Sequence, residues 1–170
     1  DIVGEIKKAG LRGRGGAGFP TGTKWDKVLN HRVQERYFVC NAGEHEPGTF
    51  KDRQLLKHIP HQLIEGCLMA SRTVNAKASY IYVNHEYAEE EANLRKAIAQ
   101  ARERGLLGKN ILGTGVDLDL EVYSGHGSYV AGEETAMLES MQGRPAMPRQ
   151  KPPFYPTDFG LYGKPTLVNN

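Results

Sequence analysis

The sequence predicts an α/β domain built on a mainly parallel sheet. Three observations carry that expectation. Apolar runs at 37–40, 78–83 and 118–123 read as strands, and helix-forming stretches separate them. Such alternation requires crossover connections, which make successive strands parallel. Two turn-rich segments, 41–52 and 124–132, directly follow predicted strands, where sheets of this kind bind ligands.

In chain order, residues 2–9 read as a short amphipathic helix ended by Gly10. Residues 10–22 form a loop, because Gly10, Gly13, Gly15, Gly16, Gly18 and Gly22 are too dense to hold a helix. Residues 23–29 form a short helix with Trp25 and Leu29 on one face. The strand 37–40 comes next, and 41–52 is the loop at its end. Residues 54–59 are helical and stop before Pro60, and 61–73 form another helix, with Leu63, Ile64, Cys67, Leu68 and Ala70 at helical spacing. After the strand 78–83, residues 87–104 form the clearest helix, rich in Ala, Glu, Arg and Lys and ended by Gly105. The strand 118–123 alternates, the loop 124–132 follows, and 133–141 is a helix closed by Gly143. From Arg144 onward prolines and aromatics dominate, which predicts an irregular segment wrapping the domain.

The 170 residues are 39% apolar and 25% charged, a composition that suits one globular domain. The net charge of +2 demands no polyanionic partner, so no nucleic acid is expected. No apolar run approaches the length of a membrane span, and no signal peptide is visible. The chain starts at Asp1 without Met and stops at Asn169-Asn170, and reads as a piece of a longer protein. Cys40 and Cys67 form no CxxC pair, so neither a disulfide framework nor an iron–sulfur site made by this chain alone is expected; both read as buried thiols.

Four segments can carry chemistry. In the first loop, Gly13, Gly15, Gly16 and Gly18 bring backbone N–H groups close to a ligand, and Arg12 and Arg14 add positive charge, which suits a phosphate. A hinge or a nucleic-acid-binding tail remains open from these residues alone. The spacing Gly13-x-Gly15-x-x-Gly18 matches the dinucleotide fingerprint but follows a helix instead of a strand, so that reading fails its context. In the second segment, 40–53, Asn41, Glu44 and Glu46 are acceptors able to hold sugar or ribityl hydroxyls, and a solvated turn fits equally well. A metal site there is not expected, because Cys40 and His45 lack a second Cys/His pair at ligand spacing. In the third, 125–135, a glycine loop enters a helix at Glu133 and Glu134, which serve either a site or the helix dipole. In the fourth, 149–156, Lys151 beside Phe154 offers a cation and a stacking face to a nucleotide, or forms a rigid proline-rich connector.

Taken together, the four segments resemble the FMN-binding flavoprotein subunit of NADH dehydrogenase modules. That family includes the NuoF-type subunit of complex I and the diaphorase subunits of NAD-linked hydrogenases and formate dehydrogenases. The matches are Gly10 to Trp25, the run 40–53, the run 129–136, and the stretch from Pro148 through Lys151-Pro-Pro-Phe154 to Asn169-Asn170. They span nearly the whole chain in the family's order. The resemblance implies a Rossmann-like, three-layer α/β domain at 1–170 with a glycine-rich FMN-binding loop. In the family a ubiquitin-like domain and a 4Fe-4S domain follow, and both are absent from these residues.

The resemblance also implies roles. Gly13, Gly15, Gly16 and Lys24 line FMN and its phosphate; Asn41 and Glu44 contact the flavin; Tyr129, Gly132 and Glu133 border its ring; Asn169 and Asn170 lie near the phosphate end. Glu46, Glu134 and Lys151 hold NADH, with Phe19 and Phe154 beside its adenine. The implied enzyme is an FMN-dependent NADH dehydrogenase that passes a hydride to flavin and electrons onward to an iron–sulfur cluster, with no catalytic acid or base and no metal ligand in this chain. A glutamate near the ribose disfavours a 2′-phosphate, hence NAD(H) over its phosphorylated form. The implied partners are a thioredoxin-like 2Fe-2S subunit and other iron–sulfur subunits. The implied location is cytoplasmic, peripheral on the membrane only through a complex. The alternative is an RnfC-like electron-transfer or docking domain without NADH oxidation. One departure stands out: Gly43 occupies a position where the family usually has Asp, which removes an acceptor from the implied flavin pocket and predicts weaker flavin binding or a shifted potential.

Overall fold

Tyr37–Ala42 is buried along its whole length, as a strand covered on both faces must be. In the computed structural model, which describes residues 1–170, it forms β1 inside a four-stranded sheet. β2 (Ala78–Val83) and β3 (Glu121–Ser124) lie on one side of it and β4 (Thr166–Asn169) on the other, in the order β3-β2-β1-β4. Every pairing is parallel.

Alternation along β1 builds two cores. Phe38, Cys40 and Ala42 enter the larger one, and Tyr37 and Val39 enter the smaller one. The larger core is covered by α1 (Ile2–Lys8), α2 (Thr21–Leu29), α3 (Lys51–His58), α4 (Pro60–Thr73) and α5 (Ala88–Glu103), which contribute Val3, Val28, Leu56, Ile64 and Leu94. The smaller is covered by α6 (Glu134–Met141), through Met137 and Leu138, and by Leu161. The expected three-layer α/β arrangement is therefore present. Each fully buried Leu or Phe contributes about 1.5–3 kcal/mol relative to exposure. Cys40 and Cys67 are both buried, as read from the sequence.

Three expectations are corrected. The tail after Arg144 is not wholly irregular: it contains α7 (Pro156–Phe159) and β4. β4 is only four residues long, too short to display a period, and it becomes a strand because β1 offers it a ladder. Its register runs from Tyr37↔Thr166 to Cys40↔Asn169. The third strand begins at Glu121, because Leu118 pairs with Gly108 in an isolated antiparallel bridge and the Asp119 carboxylate accepts the Leu120 N–H at 2.8 Å. The loop 124–132 ends in a 3₁₀ turn, Tyr129–Gly132, and Glu133 stands outside α6 as its N-cap.

β4 sets the location of the site. From β1 the chain adds β2 and then β3 in one direction, and β4 then returns to the opposite side of β1. The connection leaving β1 runs toward β2 and away from β4, and a crevice lies at the carboxyl ends of β1 and β4.

Candidate functional site

The glycine-rich loop closes on itself. Arg12 and Pro20 form an isolated antiparallel bridge, the Gly13 N–H donates to the Phe19 carbonyl at 2.9 Å, and the Arg12 guanidinium donates to the Gly18 carbonyl at 3.0 Å. The charge of Arg12 is thus committed within the loop. At Gly15 the loop backbone presses against the end of β4: a Cβ there would lie 2.6 Å from the Asn170 Oδ1. A side chain at this position would require the Asn170 amide to move aside.

Two cavities open at the crevice, and four residues line both: Gly15, Gly132, Glu133 and Asn170. One cavity, of about 620 Å³, is rich in lysine, with Lys24, Lys27 and Lys151 on its walls. It also contains Gly13, Phe19, Asn41, Glu134 and Asn169 among the expected site residues. The other, of about 710 Å³, is rich in acids, with Glu44, Glu46 and Asp52 alongside Arg14 and Lys51. Gly16 and Tyr129 lie there too. Fifteen of the sixteen expected residues therefore line one cavity or both. Phe154 is the exception: it packs edge-to-face on Phe159, with ring centroids 5.8 Å apart, in a separate groove beside Arg149.

Several expected residues are already engaged by the protein itself. Asn41 bridges β1 to the 3₁₀ turn, donating to the Gly132 carbonyl at 3.0 Å and accepting the Gly43 N–H at 3.1 Å. Glu44 is buried, and its carboxylate accepts the Asp52 N–H at 3.1 Å at the start of α3. Asn169 accepts the Trp25 indole N–H at 2.9 Å, and Lys24 donates to the Val168 carbonyl at 3.1 Å. These contacts hold the crevice in shape.

Charges at the shared wall are linked. Glu133 accepts the Thr135 and Ala136 N–H groups at 2.9 Å through one oxygen and Lys151 at 2.7 Å through the other. Glu134 lies 3.3 Å from Lys24 and 3.4 Å from Lys151. Burial alone would raise the Glu133 carboxyl, but hydrogen bonds from Lys151, Thr135 and Ala136 outweigh it and hold it below its ordinary value. Burial would lower Lys151, and its bond to Glu133 and the charge of Glu134 raise it instead. In the acid-rich cavity the Tyr129 hydroxyl donates to Glu46, which pushes the phenol up.

Sequence reasoning missed four features. Tyr155 and Lys27 line the lysine-rich cavity, and the Lys27 Nζ sits 5.4 Å from the Tyr155 ring centroid. Thr21 lines the same cavity with its hydroxyl buried and unpartnered. The His45 Nε2 is likewise buried and unpartnered beside the acid-rich cavity; burial lowers its pKa, Glu86 opposes the shift and His85 adds to it. Finally, Gly43 has a steric partner: a Cβ there would lie 2.8 Å from the Tyr82 Cε1, and Tyr82 is fully buried and stacked on Tyr123. No local pattern marks these residues, because each depends on a neighbour distant in sequence.

The profile of the family described as the Nuo51 FMN-binding domain matches residues 6–170. The chain is 52% identical over 169 residues to the NADH-quinone oxidoreductase F subunit of Rickettsia bellii (strain OSU 85-389), covering 99% of this chain and 40% of that protein. It is 53% identical over 171 residues to the protein of the same name in Escherichia coli (strain K12), covering 100% of this chain and 38% of that protein. The chain thus spans about 40% of the length of the curated relatives it matches. The crystal structure of an NAD+-reducing NiFe hydrogenase in the H2-reduced state superimposes with a TM-score of 0.88 at 44% identity, covering 99% of this chain and 28% of that one.

Proposed function

Because the chain belongs to the Nuo51 FMN-binding domain family, we propose that it is the FMN-holding, NADH-oxidising domain of a larger oxidoreductase subunit. The observation that carries this reading is the wall shared by the two cavities. There the bare backbone of Gly15 and Gly132 meets Asn170 and Glu133, and no side chain fills the space on either side. Cavities of this size suit a nucleotide-sized ligand. The unpartnered Thr21 hydroxyl and the N–H groups of the glycine loop supply donors for a phosphate.

In this reading Gly13, Gly15, Gly16, Lys24, Asn169 and Asn170 hold FMN and its phosphate. Asn41, Glu44, Tyr129, Gly132 and Glu133 shape the space around its ring. Lys151, Glu134, Glu46 and Phe19 hold the dinucleotide. Bound there, FMN supplies the acceptor for a hydride from the nicotinamide C4. The chain's own work is alignment and electrostatics. Lys24 pairs with Glu134 and Lys151 with Glu133, so the wall presents fixed dipoles without an added counter-ion. Glu133, held ionised by α6 and by Lys151, accepts hydrogen bonds and gives up no proton.

Onward transfer to a 4Fe-4S domain of the same subunit and to a 2Fe-2S partner belongs to this proposal. So does residence in a larger complex, by analogy with the relatives named for NADH-quinone oxidoreductase and NAD+-reducing hydrogenase. Those names favour NADH oxidation over an RnfC-like docking role. No helix is long and apolar enough to cross a membrane, so the proposal places any membrane association in partner subunits.

The test uses the full-length protein. It is purified, loaded with FMN and mixed anaerobically with NADH while the long-wavelength flavin absorption is followed. The expected result is stoichiometric FMN and rapid bleaching. Absence of bound flavin sinks the proposal, and flavin that NADH does not bleach returns the docking alternative.

A further inference from the structure

A third cavity differs in kind from the two at the crevice. It is a groove of about 680 Å³ between α1 and α4, on the larger-core side of the sheet. Its walls are apolar, with Ile2 and Ile6 from α1 and Leu63 and Met69 from α4. Its floor is the core itself: Trp25, Phe38 and Cys40, all buried, reach its surface. Ile2 and Leu11 at 48% exposure and Met69 at 50% stand along its edges. Apolar surface continuous with a core is unfavourable in water unless something covers it, and such patches mark binding faces.

Two observations identify the cover. The first is Gly66, which lies inside α4 and lines the groove. Glycine in a helix interior is unfavourable relative to alanine. Nothing within this chain requires it, because a Cβ there would meet no atom within 4 Å. A side chain withheld from an open groove suits the close approach of another backbone. The second is the path of the chain. Asn169 and Asn170 line the groove, and Asn169 accepts the Trp25 indole N–H at 2.9 Å, so β4 delivers the chain onto the ring in the floor. Asp1, at the other end, is turned back onto α1, where its carboxylate accepts the Val3 N–H at 3.1 Å. This chain spans about 40% of the length of its curated relatives, so a subunit of that length has chain to supply the cover.

We propose that in the full-length subunit the stretch directly following Asn170 docks in this groove as an amphipathic helix, crossing α4 at Gly66 and closing the larger core. The occupant is the subunit's own chain, in preference to a second copy or a partner. A helix satisfies its own backbone hydrogen bonds, which an apolar groove cannot do for an irregular segment. Its apolar residues recur at three- and four-residue spacing on the side facing the groove. Thr21, Asn169 and Asn170 line the lysine-rich cavity as well, so the docked helix stands directly behind the wall proposed for FMN. The docking itself requires no bound flavin.

The test uses the full-length protein, with and without FMN. A photoreactive benzoylphenylalanine replaces Met69, and the peptides it cross-links are identified by mass spectrometry. The expected product is an intramolecular link to the first about 20 residues after Asn170, room for one helix of ordinary length. Met69→Cys then reacts with a maleimide at least about tenfold more slowly than Met147→Cys, which lies outside the groove at 68% exposure. Gly66→Leu separates an open groove from a filled one. Leucine is the better helix former, so over open space it raises Tm; against a docked backbone it lowers Tm by several degrees and speeds the labelling of Met69→Cys about tenfold.

Links to residues preceding Asp1, to a second copy or to another subunit, or no link to the stretch after Asn170, overturn the choice of occupant. Equal labelling of Met69→Cys and Met147→Cys, or a Tm raised by Gly66→Leu, overturns the docking. Protein that retains no FMN yet gives the expected link refutes the proposed function and leaves the docked helix standing.

Discussion

The two cavities at the crevice share one wall and differ in nearly everything else. The lysine-rich cavity carries three lysines and two exposed rings, and each lysine is paired to an acid or lies over a ring. The acid-rich cavity carries Glu44, Glu46 and Asp52, but the first is spent on the start of α3 and Asp52 is itself buried. Burial raises the Asp52 carboxyl against the opposing pull of Lys51. One side therefore presents lysines held in ion pairs beside exposed rings, and the other is largely scaffold, with Glu44 and Asp52 buried and Glu46 alone exposed. The contrast shows that residue type alone does not distinguish a ligand contact from a structural cap; the distribution of hydrogen bonds does.

Substitutions on one side or at the shared wall test that contrast. The largest effect is expected at the shared wall. Gly15→Val places side-chain atoms against Asn170 and into both cavities, and FMN affinity falls by about a hundredfold or more, read as flavin retained after gel filtration and by fluorescence titration. FMN retained at the wild-type level would show that the wall is not the cradle.

Next comes Glu134→Ala, which touches only the lysine-rich cavity. The KM for NADH rises about tenfold while FMN binding changes less than about threefold, and equal losses of both would end the separate assignment. Gly43→Asp touches only the acid-rich side. Its carboxylate meets the buried Tyr82 ring, costs about 1–3 kcal/mol through overpacking and lowers Tm by a few degrees. Pairing it with Tyr82→Leu should recover part of the loss. A single Gly43→Asp protein as stable as wild type would show that Tyr82 moves freely.

The smallest effect is a pH dependence at His45. Burial holds its folded pKa below the ordinary 6.5, so the unfolded chain takes the proton first. Stability from this residue is complete above that value and declines as pH falls below it. His45→Gln should therefore flatten the decline in Tm between about pH 7.5 and pH 5.5. An unchanged slope would place the titrating group elsewhere.

Legibility in the sequence followed the range of the interactions. Ala78–Val83 and Ala88–Glu103 were readable because local composition and periodicity specify them. β4 was not, because Thr166–Asn169 is extended only through its pairing with β1. The residues that line the crevice were named by the resemblance, because composition alone left each motif ambiguous. The sequence could not separate the two functions of Glu133, which caps α6 while facing both cavities. Nor could it distinguish Phe154 from Tyr155, adjacent rings that face different grooves.

The contact between Gly15 and Asn170 joins segments from opposite ends of this stretch of sequence, and it exists only when the last strand is docked. A cofactor seated on that contact thus acts as a latch on the fold's topology. Its binding free energy adds directly to stability, by about 2.7 kcal/mol at a free concentration a hundred times Kd. If FMN sits there as proposed, chains that have not yet added β4 lack the seat, and flavin content would count completed molecules. Amide hydrogen exchange in Thr166–Asn169 should slow more than in Ala88–Glu103 when FMN is added, which would make loading a checkpoint on folding as well as a preparation for redox chemistry.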